Sequence, residues 1–439
     1  MEQMFHVPVK DSSSSVENIL RPISYMSWLL GVGIAHPQKY PKAITIMIRI
    51  IYTIVYSYGM IYDTIRFFIR PFFWKYIRIM VFIHFLNKTL CYLSAFYYIY
   101  HGIRQYNKWP ELMDRLKELD QKIRKEISIN DRSIKIIEAL EVFMTFICFP
   151  LMPIIHISYY SILTSSYNYN IWDKTFIIDI VFYYILAQAL FNIFAFNVVV
   201  FVLYRRFQIL NKLIGQLNKL SNVQWIAFKI IRIRELHADI CDLASMVNDI
   251  YALHLLFFSM NCFTMAAAAL FNFYIAIIHG YPRVLIYSFY QIVYVMQFWL
   301  ICWICTLACQ EANITGKIIH KIVLNCKPVN LDTHEASNQS RIEVRPSLED
   351  YNGEQNSNCS RRHNLYVVGN FLCRNLDREY VTKEVNDFLT QLQQNRVAFS
   401  ACDFFEINNA SFGCLVGVIF TYLIIFIQFY EDPKIENKS

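Results

Sequence analysis

Seven apolar segments, each long enough to cross a membrane as a helix, divide this chain. They fall at approximately 43–62, 78–100, 136–162, 176–204, 250–277, 284–308 and 411–430. About 20 consecutive apolar residues span the hydrocarbon core of a bilayer, and a run of that length reads as a transmembrane helix. The composition agrees. Of the 439 residues, 56% are hydrophobic and 17% charged, with a mean hydropathy of +0.30. Soluble proteins average about 45–50% apolar and about 25% charged. A soluble fold of this length would need polar surface that the chain lacks. The fold class is all-α: a polytopic membrane protein with seven transmembrane helices. Residues 1–42 show no compact apolar core followed by a small-residue cleavage site, so the first span is expected to act as its own insertion signal.

An odd number of spans puts the two termini on opposite faces, and basic residues decide which is which. The connection after the second span carries nine lysines and arginines, from Arg104 to Lys135, whereas the connection after the third carries only Lys174. Over the whole chain, 31 of the 41 basic residues fall on the face that holds the N-terminus. The positive-inside rule makes that face cytoplasmic, with the C-terminus extracellular. G-protein-coupled receptors have the opposite orientation. The net charge of +7 then reflects loops beside an anionic leaflet, not a partner nucleic acid. The sequons at Asn313, Asn338, Asn358 and Asn409 become cytosolic or buried and are expected to stay unglycosylated.

Enzyme chemistry finds no motif. GxSxG, P-loop, GxGxxG and HExxH patterns are absent from the sequence. His237 and Cys241 stand at i, i+4, but two ligands do not make a metal site. No metal or other cofactor is expected. The 12 cysteines lie in apolar runs or in segments assigned to the cytosol, which argues against a disulfide framework.

The expected organisation is a cytoplasmic segment (1–42), a six-helix bundle that binds ligand and extends helices into the cytosol (43–308), and a cytoplasmic connection with a flexible insertion (309–364). A cytosolic anchor-helix region (365–410), a seventh span (411–430) and an extracellular tail (431–439) complete it. Leu112, Leu116, Leu119 and Ile123 recur at helical spacing in the loop after the second span. Leu210, Leu213, Leu217 and Leu220 repeat the theme after the fourth. Val381, Val385, Phe388, Leu389 and Leu392 form a helical stripe before the last span.

That last span carries the sharpest pattern. Cys414, Val418, Thr421, Ile425 and Gln428 share one helical face, with Leu415, Tyr422, Phe426 and Phe429 on the neighbouring stripe. Val416, Phe420, Leu423, Ile424 and Ile427 are expected to face lipid. Two readings stay open. Thr421 and Gln428 either bond neighbouring helices or line a pore, with Gln428 at a constriction and Ile425 or Phe429 sealing it by dewetting. Glu431 and Asp432 follow on the outer side, where several copies around an axis would attract cations.

The outer halves of the third to sixth spans are rich in aromatic and polar residues. Candidate ligand-pocket residues are His156, Tyr159, Asp179, Tyr183, Asn272, Tyr290, Gln291 and Tyr294. An acid such as Asp179 inside a bilayer needs a partner or a water-filled cavity. Interfacial tyrosine belts and interhelical hydrogen bonds are the competing account of these residues.

The C-terminal block resembles the insect gustatory receptors. It runs from Ala401-Cys402-Asp403-Phe404-Phe405-Glu406-Ile407 through Gly413 and Gly417 to Thr421-Tyr422, five apolar residues, and Gln428-Phe429. Every position of the TY-five-hydrophobics-QF signature is filled. A looser fit runs from Leu236 to Leu256. The resemblance implies a tetrameric, tastant-gated, nonselective cation channel, homomeric or heteromeric, in the plasma membrane of gustatory neurons. It also implies an anchor domain around the helix before the last span, a pore lined by that span, and an outer gate at Gln428 and Phe429. Leu423 stands where the sugar-receptor branch has an acid, so a bitter-type ligand is expected. A sugar or odorant receptor subunit, a metabotropic receptor and a transporter are the alternatives.

Overall fold

The computed structural model describes residues 16–31, 35–36, 42–69, 75–127, 174–217, 223–279, 284–326 and 379–428, with the single helical positions Arg132, Ile134, Ile136, Ala139, Ile154 and Ser158. Most of the expected third span and all of the 328–364 insertion lie outside the described residues. Nine helices are described: α1 (Val16–Leu29), α2 (Lys42–Ile69), α3 (Lys75–Arg104), α4 (Lys108–Arg124), α5 (Lys174–Leu217), α6 (Val223–His279), α7 (Val284–Cys326), α8 (379–394) and α9 (Asn409–Gln428). Among the described residues the only β pairing is an isolated bridge between Ser400 and Glu406.

Four stretches among the described residues are long and apolar enough to cross a membrane: Lys42–Ile69, Ile177–Leu217, Trp225–Tyr274 and Gln291–Lys321. Asn409–Ile425 is a shorter apolar helix. The helices α5, α6 and α7 run 44, 57 and 43 residues, well beyond the roughly 20 that a bilayer needs. Two compact units divide them: residues 1–206, 239–310 and 397–439 form the first, and residues 207–238 and 311–396 the second.

In the first unit α2 is built inside out. Its buried residues are Thr45, Arg49, Tyr56, Gly59 and Asp63. Ile44, Met47, Ile50, Ile51, Ile54, Ile61, Ile65 and Phe68 are exposed. A soluble helix does the reverse. An apolar outer face with polar groups turned inward suits a hydrocarbon solvent, where buried polar atoms must find partners in the protein. By contrast α5 is enclosed on all sides, with every residue from Phe191 to Leu203 buried, as expected of a helix that is apolar all round. Hydrogen bonds knit the helices together. Asn261 donates to Ser94 (3.3 Å), Thr264 to Asn87 (3.3 Å), and the Tyr294 hydroxyl to the Leu186 carbonyl (2.8 Å).

The end of α1 is pinned by its own carbonyl. Leu30 O accepts from Gln188 Nε2 at 2.6 Å and from the Tyr184 hydroxyl at 3.0 Å; Gln188 in turn accepts from Tyr56 at 2.6 Å. Gly31 closes the helix at φ +66°, and a Cβ there would fall 2.2 Å from the Tyr52 ring. Only glycine satisfies both the backbone angle and the close approach.

The leucine stripe of α4 is buried as its spacing predicts: Leu112, Leu116, Leu119 and Ile123 are all at 2% exposure or less. The flank of that stripe carries Lys122, whose ammonium lies 2.9 Å from both Asp239 and Glu118. Those hydrogen bonds, Asp239 first, raise its pKa above the ordinary lysine value.

A turn precedes α9. The Phe404 amide donates to Ala401 O at 3.1 Å, and the two central residues, Cys402 (φ 52°) and Asp403 (φ 60°), both have positive φ. That is the type I′ geometry. Phe399, Ala401 and Ile407 anchor the turn in the core, while Phe404 at its tip is 77% exposed.

In the second unit, the α8 stripe seen in the sequence turns inward: Val381, Val385 and Phe388 are buried. Arg234 pairs with Glu384 at 3.0 Å. Asn211 Nδ2 donates to the Glu311 carboxylate at 2.9 Å, and Asn211 Oδ1 accepts from the Thr315 hydroxyl at 2.7 Å. His237 packs against the rings of Phe207 and Phe388 at 5.5 and 5.6 Å, and this burial pushes its pKa down to about 4.

Candidate functional site

Two places in the first unit concentrate polar chemistry among apolar helices. The first is α9. Asn408 caps it, its side chain accepting from the Ser411 amide at 2.9 Å. The Asn409 amide donates to Thr306 Oγ1 at 3.0 Å and so ties the helix start to α7. Ile419 is the buried centre of its inner face, at 4% exposure. Phe412 faces Phe298, and Tyr422 meets Phe263 edge-on at 5.5 Å.

At 3.6 residues per turn, Thr421 and Gln428 point about 160° and about 180° away from Ile419. Cys414, Gly417, Val418, Thr421, Ile425 and Gln428 are all exposed. The polar groups of α9 therefore stand on the face turned away from the chain's own bundle. The Thr421 hydroxyl folds back onto Gly417 O at 3.0 Å, and a Cβ at Gly413 or Gly417 would meet nothing within 4 Å. Phe429 lies outside the described residues, as does the side chain of Phe426. One expectation is corrected. Val416, Leu423 and Ile427, assigned to lipid, are half-buried, because they flank Ile419 on the packing side. Phe420 and Ile424 are exposed as expected.

The second place lies where α2, α3 and α5 meet. Lys88 Nζ donates to Asp63 at 3.1 and 3.2 Å and to Asp179 at 2.8 Å. Tyr92 donates to Asp63 at 3.1 Å. The lysine is 5% exposed, and its ammonium also sits 5.3 Å from the centre of the Phe182 ring. An adjoining cavity of about 190 Å³ is lined by Asp63, Arg66, Phe67, His84, Phe85, Lys88 and Asp179. The partner that a membrane-embedded Asp179 requires is thus a lysine 91 residues away, shared with a second acid.

Of the other pocket candidates, Tyr183 is buried with its ring tilted against Phe182 at 5.8 Å. Asn272 and Gln291 are buried in α6 and α7. Tyr294 is fully buried, stacked on Phe258 at 5.2 Å, with its hydroxyl bonded to Leu186 O. Tyr290 is part of α7, but its side chain lies outside the described residues, as do His156 and Tyr159. Asp63, Arg66 and His84 escaped the sequence reading. The signal available was charge inside or at the edge of an apolar segment, which Lys88 also carries, but such a charge does not show its partners. Among the described residues no group of three or more His, Cys, Asp or Glu is placed to hold a metal.

The sequence model of the family described as "7tm Chemosensory receptor" matches residues 20–335 and 351–432. No curated protein matches the chain. Among solved structures, the olfactory receptor OR5 from Machilis hrabei in complex with eugenol is similar in fold, with a TM-score of 0.58 and 12% identity, over 95% of this chain and 99% of that one. The structure of the same receptor described without eugenol matches with a TM-score of 0.54 and 12% identity, over 94% and 99%.

Proposed function

Because this chain belongs to the 7tm chemosensory receptor family, we propose that it is a gustatory receptor: a nonselective cation channel opened by a small-molecule tastant, in the plasma membrane of gustatory sensory neurons. Seven spans carry it through the bilayer, with the N-terminus in the cytosol and the C-terminus outside. Four copies, of this chain or of this chain with relatives, surround a pore lined by α9, and residues 365–410 anchor them in the cytosol.

One observation carries the channel reading. Thr421 and Gln428 face away from the chain's own bundle, on a helix too apolar for water. In a lone copy these groups would project into hydrocarbon, where polar side chains are costly. Around an axis shared with other copies they line water instead. Ile425, Gln428 and Phe429 then form the constriction, and Thr421 lies along the wall. Ligand enters the outer half of the six-helix bundle, among Asp179, Tyr183, Asn272, Gln291 and Tyr294, with His156, Tyr159 and Tyr290 as further wall residues.

The complete TY/QF signature supports taste, and Leu423 in place of an acid supports a bitter-type ligand over a sugar. The likeness to an olfactory receptor from Machilis hrabei favours a second reading, an odorant-gated subunit of the same architecture. A metabotropic receptor is disfavoured by the basic-residue bias, and a transporter by the lack of internal repeats.

The test is whole-cell current from cells expressing this chain, with bitter compounds, sugars and volatile odorants applied to wild type, Gln428→Ala and Phe429→Ala. A fast, G-protein-independent cation current that either substitution alters in basal level or permeation supports the channel. Surface protein whose tastant response requires a G protein overturns it.

A further inference from the structure

The segment that leads into α9 is gripped from two sides. Asn248, on α6, holds Ser400 with both ends of its side-chain amide. Its Oδ1 accepts from the Ser400 amide at 2.7 Å, and its Nδ2 donates to the Ser400 hydroxyl at 3.3 Å. That hydroxyl donates in turn to Asp403 at 2.8 Å, one of the two residues held at positive φ. The series Asn248, Ser400, Asp403 is thus polarised in one direction, and Asn248→Asp would lose its first donor.

Thr306, on α7, supplies the second grip. Its hydroxyl donates to Cys302 O at 2.7 Å and accepts from the Asn409 amide at 3.0 Å. The first amides of a helix have no acceptor within it. In α9 the Asn409 amide is satisfied by α7 and the Ser411 amide by the Asn408 cap. Between the grips the segment is braced. The Ala401 amide donates to Phe405 O at 3.0 Å and the Ile407 amide to Phe399 O at 2.7 Å. The Phe399 ring meets Phe196 of α5 edge-on at 5.9 Å.

Both grips sit on unbroken helices that also carry ligand-pocket candidates. Along α6, Asn248 lies about 36 Å from Asn272, and along α7, Thr306 lies about 22 Å from Gln291, at 1.5 Å rise per residue. Rigid helices are among the physical carriers of coupling between distant sites.

We propose that Asn248 and Thr306 are the positioning residues through which α6 and α7 set the open or closed state of the α9 pore. This rests on the channel reading and names the regulation of its pore. A ligand in the outer half displaces α6 or α7, and the two grips carry that displacement to the start of α9. Residues 399–411 move as one braced piece.

The experiment pairs deuterium exchange on the full chain in lipid nanodiscs with single-channel recording, using caffeine, sucrose and eugenol as probes. Asn248→Leu and Thr306→Val should each speed exchange of the amides at 399–412 by about tenfold, as the loss of one or two hydrogen bonds predicts. Exchange in α5 should not change. Each should also shift the open probability by about fivefold or more, at unchanged unitary conductance, because neither residue lines the pore. Thr306→Ser keeps the hydroxyl and should behave as wild type. Should Asn248→Leu fail to fold, Ser400→Ala takes its place, removing only the hydroxyl. Unchanged exchange overturns the proposal. Faster exchange with unaltered open probability also overturns it, since the ties would then be structural only. A wild-type response that requires a G protein removes the channel reading and the coupling together. A direct wild-type current that the substitutions leave unaltered removes the coupling alone.

Discussion

Arg206 and Asp120 form a two-pronged ion pair between α5 and α4, with Nε 2.7 Å from Oδ1 and Nη2 3.1 Å from Oδ2, at side-chain exposures of 1% and 4%. Removing one member of so buried a pair strands the other charge, which costs about 3–5 kcal/mol. Asp120→Ala should therefore lower the thermal midpoint of the purified chain sharply. The double change Arg206→Met with Asp120→Leu should recover most of it, since apolar side chains of similar volume replace such pairs at little cost. Size-exclusion profiles and melting curves of the two variants check this.

The turn before α9 stores backbone strain at Cys402, a non-glycine residue at φ 52°. Cys402→Gly should stabilise the chain by about 1 kcal/mol, because glycine adopts this region freely. Cys402→Val should destabilise it, as a β-branched residue resists positive φ. A denaturation series on the three proteins reads both signs.

Gly417 separates the fold of one chain from assembly. Among the described residues a Cβ there would meet nothing within 4 Å, so Gly417→Leu should leave expression and melting temperature near wild type. On the pore reading it should abolish tastant-evoked current, because the new side chain enters the space shared by neighbouring copies. Normal current from well-expressed Gly417→Leu would sink that reading.

His237 gives the second unit a pH dependence of defined sign. Its pKa falls from an unfolded value of 6.5 to about 4, so between these values the unfolded chain binds the proton and the folded chain does not. Stability from this group is full above pH 6.5 and is lost as pH falls toward 4. The loss has a ceiling of about 3 kcal/mol. His237→Leu should flatten that part of the curve when melting temperatures are compared at pH 7.5 and pH 5.

Periodicity made the helices legible. The α4 stripe Leu112, Leu116, Leu119 and Ile123 is buried as its spacing requires, and α5 extends past membrane length through Leu210, Leu213 and Leu217. On α9 the same arithmetic put Thr421 and Gln428 on one face. Which face points outward was a different matter. Val416, Leu423 and Ile427 are as apolar as any lipid-facing residue, and only the position of Ile419 against its neighbours turned them inward. In hydrocarbon both sides of a helix can be apolar, so composition does not mark the packing side.

The charged triad shows where sequence reading stops. Asp179 stood out as a costly ion in an apolar segment, while Lys88 and Asp63 sat unremarked. The sequence by itself determined that the chain is a set of long apolar helices, how charge is distributed among their connections, and which C-terminal residues share a face, because these are properties of contiguous residues and a fixed helical repeat. Only the tertiary structure decided that Lys88 answers acids 25 and 91 residues away. Pairing across helices depends on how each is rotated and displaced against the others. That is settled by side-chain packing summed over the whole bundle, which no local pattern encodes.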